Sequence, residues 1–279
     1  MTERMIDAHG ALLCTEALGD PADPPVLLVM GVGGSMLWWE DDFCAALAAG
    51  GRFVIRYDHR DTGRSTSDPP GRPTYTGDVL VADAARVLDG YGIARAHVVG
   101  MSMGGALAQL LALDFADRVA SLVLMSTSPA GPADDLPQAA EAYHAYAREA
   151  RVDWSDPASV VEDRVAETRA LTGDRPFDEG RVRALAERDV VRADSVASAQ
   201  NHMLLEGGAP WRDRLGSVIV PTLVIHGTAD PLFPQEHGEA LAAEIPGATL
   251  LLLEGVGHGV ERGDWEGIVD AIVAHTVGS

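Results

Sequence analysis

At 279 residues the chain has room for one α/β domain with a sizeable insertion, and its 47% hydrophobic content excludes wholesale disorder. A formal net charge of −21 argues against a polyanionic partner such as nucleic acid, and against an anionic membrane surface. Every basic residue is an arginine, which excludes Schiff-base, pyridoxal-lysine and P-loop-lysine chemistry.

Met1 to Met5 leads into no long apolar stretch, so no signal peptide is expected. Ala11 to Leu18 reads as an edge strand, ended by Gly19-Asp20-Pro21. Pro25 to Met30 is a continuous apolar run between turn residues, the mark of a strand buried on both faces. It enters the flexible loop Gly31-Val32-Gly33-Gly34-Ser35. Helical spacing follows over Trp38 to Ala49, then a strand over Phe53 to Tyr57 and a helix over Gly77 to Leu88. His97 to Val99 is the next strand, Gly105 to Leu111 a helix, and Ala120 to Met125 another strand. From about Ser128 to Leu215 no strand is expected. The segments there are polar and helix-leaning, and Pro132, Pro137, Pro157, Gly173 to Pro176 and Gly207-Gly208 punctuate them. Strands resume at Val220 to His226 and Ala248 to Leu253, with helices over Gln235 to Glu244 and Trp265 to Thr276.

Alternating β and α segments imply a parallel central sheet with helices on both faces. The expected organisation is a core of residues 1–127 and 216–279, with residues 128–215 inserted as a helical lid. Apolar runs are too short to span a bilayer, and Cys14 and Cys44 offer neither a disulfide framework nor metal spacing. A cytoplasmic protein is the expectation.

Gly100-Met101-Ser102-Met103-Gly104 lies between a strand and a helix. A serine in so tight a turn presents its hydroxyl at the end of a sheet, and the crowding leaves no room for side chains at the flanking glycines. The hydroxyl needs a base, and the base needs a group that holds its tautomer. His258, in Gly255-Val256-Gly257-His258-Gly259 directly after the last strand, is the expected base. Asp230, ahead of Pro231 and after the preceding strand, is the expected orienting acid. His9, His97, His144, His237 and His275 are read as structural or surface residues, and His226 as a packing residue. The oxyanion donors should be the N–H groups of Met103 and Val32, with Gly31 and Gly33 letting that backbone approach the substrate. The glycine cluster lacks the G-x-G-x-x-G pattern of a dinucleotide loop.

These motifs, with Arg56 to Ser65, Thr222 to Ile225 and Asp230-Pro231, resemble the α/β-hydrolase superfamily. Within it the chain is most similar to actinomycete methylesterases of aromatic polyketides, the aclacinomycin methylesterase type. The resemblance is strongest over both halves of the sheet and fades across the insertion. It implies Ser102, Asp230 and His258 as the catalytic triad, in the order Ser, Asp, His. The family's oxyanion loop is richer in glycine where this chain has Val32. The expected reaction is cleavage of a small-molecule carboxylic ester through an acyl-enzyme, with no metal or organic cofactor. Enol-lactone hydrolysis and C–C bond hydrolysis by the same triad are the alternatives, ahead of a perhydrolase or a non-catalytic binding homologue. Candidate substrate-binding residues are Gly31, Gly33, Met36, Trp38 and Trp39 near the oxyanion loop, and Trp154, Phe177, Met203 and Leu204 in the insertion.

Overall fold

The computed structural model describes residues 2–129, 135–205 and 210–276. Pro132 and Gly207-Gly208 lie outside the described residues. Eight strands form one sheet: β1 (Arg4–Asp7), β2 (Leu12–Leu18), β3 (Pro25–Val29), β4 (Phe53–Tyr57), β5 (Ala96–Met101), β6 (Val119–Met125), β7 (Thr222–Gly227) and β8 (Thr249–Leu253). Their order is β1-β2-β4-β3-β5-β6-β7-β8, and every neighbouring pair from β4 to β8 is parallel. β2 runs antiparallel to both β1 and β4. It is therefore not the edge strand expected from Ala11 to Leu18. β1 covers it, and β1 escapes a pattern search because Ile6 is the single buried residue of Arg4-Met5-Ile6-Asp7.

The central strands are apolar throughout because both faces are covered. Along β3, Leu27 and Val29 face one core and Val26 and Leu28 the other. The first core packs on α2 (Gly77–Gly90), α3 (Met103–Asp114) and α7 (Gln235–Glu244), through Leu80, Leu88, Leu107, Leu111 and Leu241. The second packs on α1 (Asp41–Ala49) and α8 (Trp265–His275), through Phe43, Leu47, Ile268 and Ile272. Between β6 and β7 the described residues form no strand. They carry α4 (Glu141–Glu149), α5 (Pro157–Leu171), α6 (Glu179–Arg192) and two 3-10 segments, Val196–Leu204 and Arg212–Ser217.

The loop after β4 is fixed by its own polar groups. Arg60 donates from Nε and from a terminal guanidinium nitrogen to the buried carboxylate of Asp83. Asp61, at φ 67°, accepts from the Tyr75 hydroxyl, the Asn201 amide and the Asp68 N–H. The Arg60-Asp61 pair thus shapes this loop, apart from Ser102. Among the described residues no helix is long and apolar enough to cross a membrane.

Candidate active site

Parallel strands bring their carboxyl ends to one edge, and the loops there are where an α/β sheet builds a site. β5 ends at Met101 and α3 begins at Met103, so Ser102 alone makes the turn, at φ 54° and ψ −120°. Such a backbone costs a non-glycine residue about 1–3 kcal/mol and persists only when its surroundings hold it. Here the Ser102 N–H donates to the Met125 carbonyl at 3.0 Å, and the Ser102 carbonyl accepts from the Thr127 hydroxyl at 2.8 Å. The turn also presses α3 onto β3. A Cβ at Gly104 would lie 2.1 Å from the Val29 carbonyl oxygen and 2.6 Å from that of Met30. Gly104→Ala should therefore destabilise the protein by at least about 3 kcal/mol, read as a lowered urea midpoint, because backbone on both sides must shift.

The loops after β7 and β8 bring Asp230 and His258 to this serine. The Ser102 hydroxyl donates to His258 Nε2 at 2.9 Å, and His258 Nδ1–H donates to Asp230 Oδ2 at 2.9 Å. Asp230 Oδ1 accepts the N–H groups of Leu232 and Phe233, both at 2.9 Å, so the turn at Pro231 orients the carboxylate. Burial pushes the Asp230 carboxyl up, but the imidazole of His258, the Phe233 N–H and the nearby His226 outweigh it and hold it below the ordinary range. Asp230 is thereby kept as the anion. The His258 N–H donates to the Leu171 carbonyl at the end of α5, at 2.9 Å. His226 donates from Nε2 to the Phe233 carbonyl at 2.7 Å and braces the Asp230 turn.

The loop after β3 lies against the serine: a Cβ at Gly31 would sit 3.2 Å from Ser102 Cβ. The next residue is Val32. Among the described residues neither the Val32 N–H nor the Met103 N–H meets a hydrogen-bond acceptor, and Met103 opens α3. The first N–H groups of a helix have no partner inside it and carry its positive dipole end.

Ser102, His258, Gly31 and Val32 open onto a cavity of about 150 Å³. Trp38, Met101, Tyr143, Leu171 and Leu232 supply its apolar wall. A second, smaller space of about 80 Å³ shares Met30, Trp38 and Met101 with it and continues to Trp39, Phe43 and Trp265. Trp38 donates from Nε1 to Asp189 on α6 at 2.9 Å.

The other expected substrate contacts fall elsewhere. Met36 is fully buried away from the cavity, and its N–H donates to Asp58. Gly33 turns its N–H and carbonyl toward His202 and Arg164. Trp154 is half-buried in the connection between α4 and α5 and lines neither space. Phe177 lies under the Arg169 guanidinium, 4.2 Å from the ring centre. Met203 and Leu204 are exposed at 74% and 55%. Conversely, Arg164, Glu167 and Thr168 of α5, and Glu261, line the cavity without having been singled out. Burial pushes the Glu261 carboxyl up, against the pull of Arg181.

A family model described as alpha/beta hydrolase fold matches residues 24–260. The rhodomycin D methylesterase DnrP of Streptomyces peucetius is 37% identical over 300 aligned positions, which cover 99% of this chain and 98% of that one. Among solved structures, the esterase RhEst1 from Rhodococcus sp. ECU1013 superposes with a TM-score of 0.80 at 25% identity, covering 99% of this chain and 98% of that one. The enol-lactonase from Burkholderia xenovorans LB400 gives 0.75 at 26%, covering 99% and 100%. A match that runs nearly end to end, on a sheet of this order, has one meaning: the chain belongs to the α/β-hydrolase family, among its ester hydrolases.

Proposed function

We propose that the protein cleaves a small-molecule carboxylic ester, with Ser102 as nucleophile, His258 as general base and Asp230 as the residue that orients it. The carrying observation is the pair of 2.9 Å hydrogen bonds from serine to histidine to aspartate, built on a strained Ser102. Ser102 Oγ attacks the ester carbonyl while His258 Nε2 takes its proton. The carbonyl electrons move onto oxygen, and the N–H groups of Val32 and Met103 donate hydrogen bonds to the resulting oxyanion. The intermediate collapses, the C–O bond to the alcohol breaks, and His258 gives its proton to the departing oxygen. Water then attacks the acyl-enzyme by the same relay and releases the acid. Only side chains, backbone and water take part.

Residues 128–215 are the lid in this reading, since α4 and α5 supply Tyr143 and Leu171 to the cavity wall. The apolar, aromatic-walled cavity and the likeness to rhodomycin D methylesterase favour a methyl ester of an aromatic polyketide or similar apolar acid. Free, buried Cys14 and Cys44 fit work in the reducing cytoplasm. Enol-lactone hydrolysis by the same relay is the second reading, supported by the likeness to the Burkholderia enol-lactonase. A panel of p-nitrophenyl esters, lactones and aromatic methyl esters decides between them. Methyl-ester turnover that vanishes in Ser102→Ala supports the first, and turnover confined to enol-lactones rejects it.

A further inference from the structure

The proposed oxyanion donor, the Val32 N–H, lies in a loop that contains three glycines within four residues, Gly31 to Gly34. Such a backbone has many conformations available, so its peptide planes point usefully only if something holds them. The planes around that of Val32 are each pinned by a side chain. His59 donates from Nε2 to the Met30 carbonyl at 3.0 Å, which fixes the plane before Gly31. The Gly33 N–H donates to His202 Nδ1 at 3.0 Å, which fixes the plane between Val32 and Gly33. Arg164 donates to the Gly33 carbonyl at 3.1 Å, which fixes the plane after Gly33. Gly33 itself sits at φ 65°, the left-handed region.

His59 belongs to the loop after β4, whereas His202 and Arg164 both come from the lid. The tautomer of His202 is set from its far side, where Nε2–H donates to the Arg60 carbonyl at 2.8 Å. Nδ1 therefore carries the lone pair that the Gly33 N–H needs. Arg164 is held in turn by Glu167 at 3.0 Å. His202 is buried and lines neither cavity, so it reaches substrate only through Gly33.

We infer that His202 and Arg164 are positioning residues for the oxyanion hole: from the lid they grip Gly33 by its N–H and its carbonyl, and so aim the Val32 N–H. The oxyanion hole is then complete only with the lid seated. This rests on the hydrolase reading above.

The test compares wild type with His202→Leu, which removes the acceptor, and His202→Asn, whose Oδ1 replaces Nδ1 at the same place along the side chain. A p-nitrophenyl ester reports kcat and KM. A trifluoromethyl ketone, whose adduct with the serine carries an oxyanion, reports the hole itself, and the matching secondary alcohol reports ground-state binding. His202→Leu should lower kcat by about 30- to 100-fold with KM changed less than about threefold. Its ketone Ki should rise by the factor that kcat/KM falls, with alcohol binding unchanged, and His202→Asn should recover to within about fivefold of wild type. Arg164→Met, which frees the Gly33 carbonyl, should weaken the ketone more than the alcohol, whether or not the leucine variant folds. A His202→Leu enzyme with kcat and ketone Ki within about twofold of wild type overturns the inference. So do losses that ketone and alcohol share equally in both variants. If Ser102→Ala leaves turnover intact, the hydrolase reading itself fails, and that result is distinct from either.

Discussion

Ser102→Ala should lower kcat on any accepted ester by about 10⁵- to 10⁶-fold, the loss expected when the nucleophile of a serine triad is deleted. Stability separates this from a folding defect. Alanine keeps the Cβ, so the turn at φ 54° remains as strained as before, and only the hydroxyl's bond to His258 is lost. The thermal midpoint of Ser102→Ala should stay within about 2 °C of wild type. Ser102→Gly should be equally inactive yet more stable by about 1–2 kcal/mol, because glycine adopts this backbone without steric cost. Loss of activity with a gain in stability is the signature of a residue kept for its chemistry. An inactive Ser102→Gly variant that is also less stable would contradict that assignment.

Asp230→Asn should cost about 10⁴-fold in kcat while leaving KM and the fold nearly unchanged. The amide oxygen can still accept from the N–H groups of Leu232 and Phe233, which keeps the turn. Its NH₂ then faces His258 Nδ1, and the imidazole answers by moving its proton to Nε2, away from the tautomer that accepts from Ser102. The same residue predicts a pH effect on stability. Its folded pKa lies below the ordinary aspartate value of about 3.9, so its ionised form stabilises the fold fully above that value. That stabilisation is lost as pH falls through the lowered folded pKa. Paired acid titrations of wild type and Asp230→Asn, followed by near-ultraviolet circular dichroism, should converge toward the acid end. A gap that widens as pH falls would mean that Asp230 is not held as an anion.

Much of this was legible in the residues, because sheet ends and glycine turns leave strong local signals. Apolar runs bounded by turn residues marked β3 to β8, and Ser102, Asp230 and His258 each follow a strand closely enough for position alone to single them out. The aspartate and histidine lie 28 residues apart in the chain, and the serine 156 from the histidine, yet the parallel sheet delivers all three to one edge. The cavity wall was not legible in the same way. α5 buries Val160, Val161 and Val165, while the face it turns to the cavity carries Arg164, Glu167 and Thr168, residues that in a sequence look like a solvated helix face. Met203 and Leu204 misled in the opposite sense, as large apolar residues left exposed at the end of a 3-10 segment. Apolar character indicates which residues gain from burial, but which face of a lid helix meets the cavity is decided by packing between distant segments.

The central claim is that His258 makes the hydroxyl of Ser102 reactive, and covalent labelling tests it most directly. Incubation with a fluorophosphonate, followed by peptide mass mapping, should place one adduct on Ser102. Labelling should be absent from Ser102→Ala and slowed by at least about 10³-fold in His258→Ala. An adduct on another residue, or a His258→Ala enzyme that labels at the wild-type rate, would contradict the account.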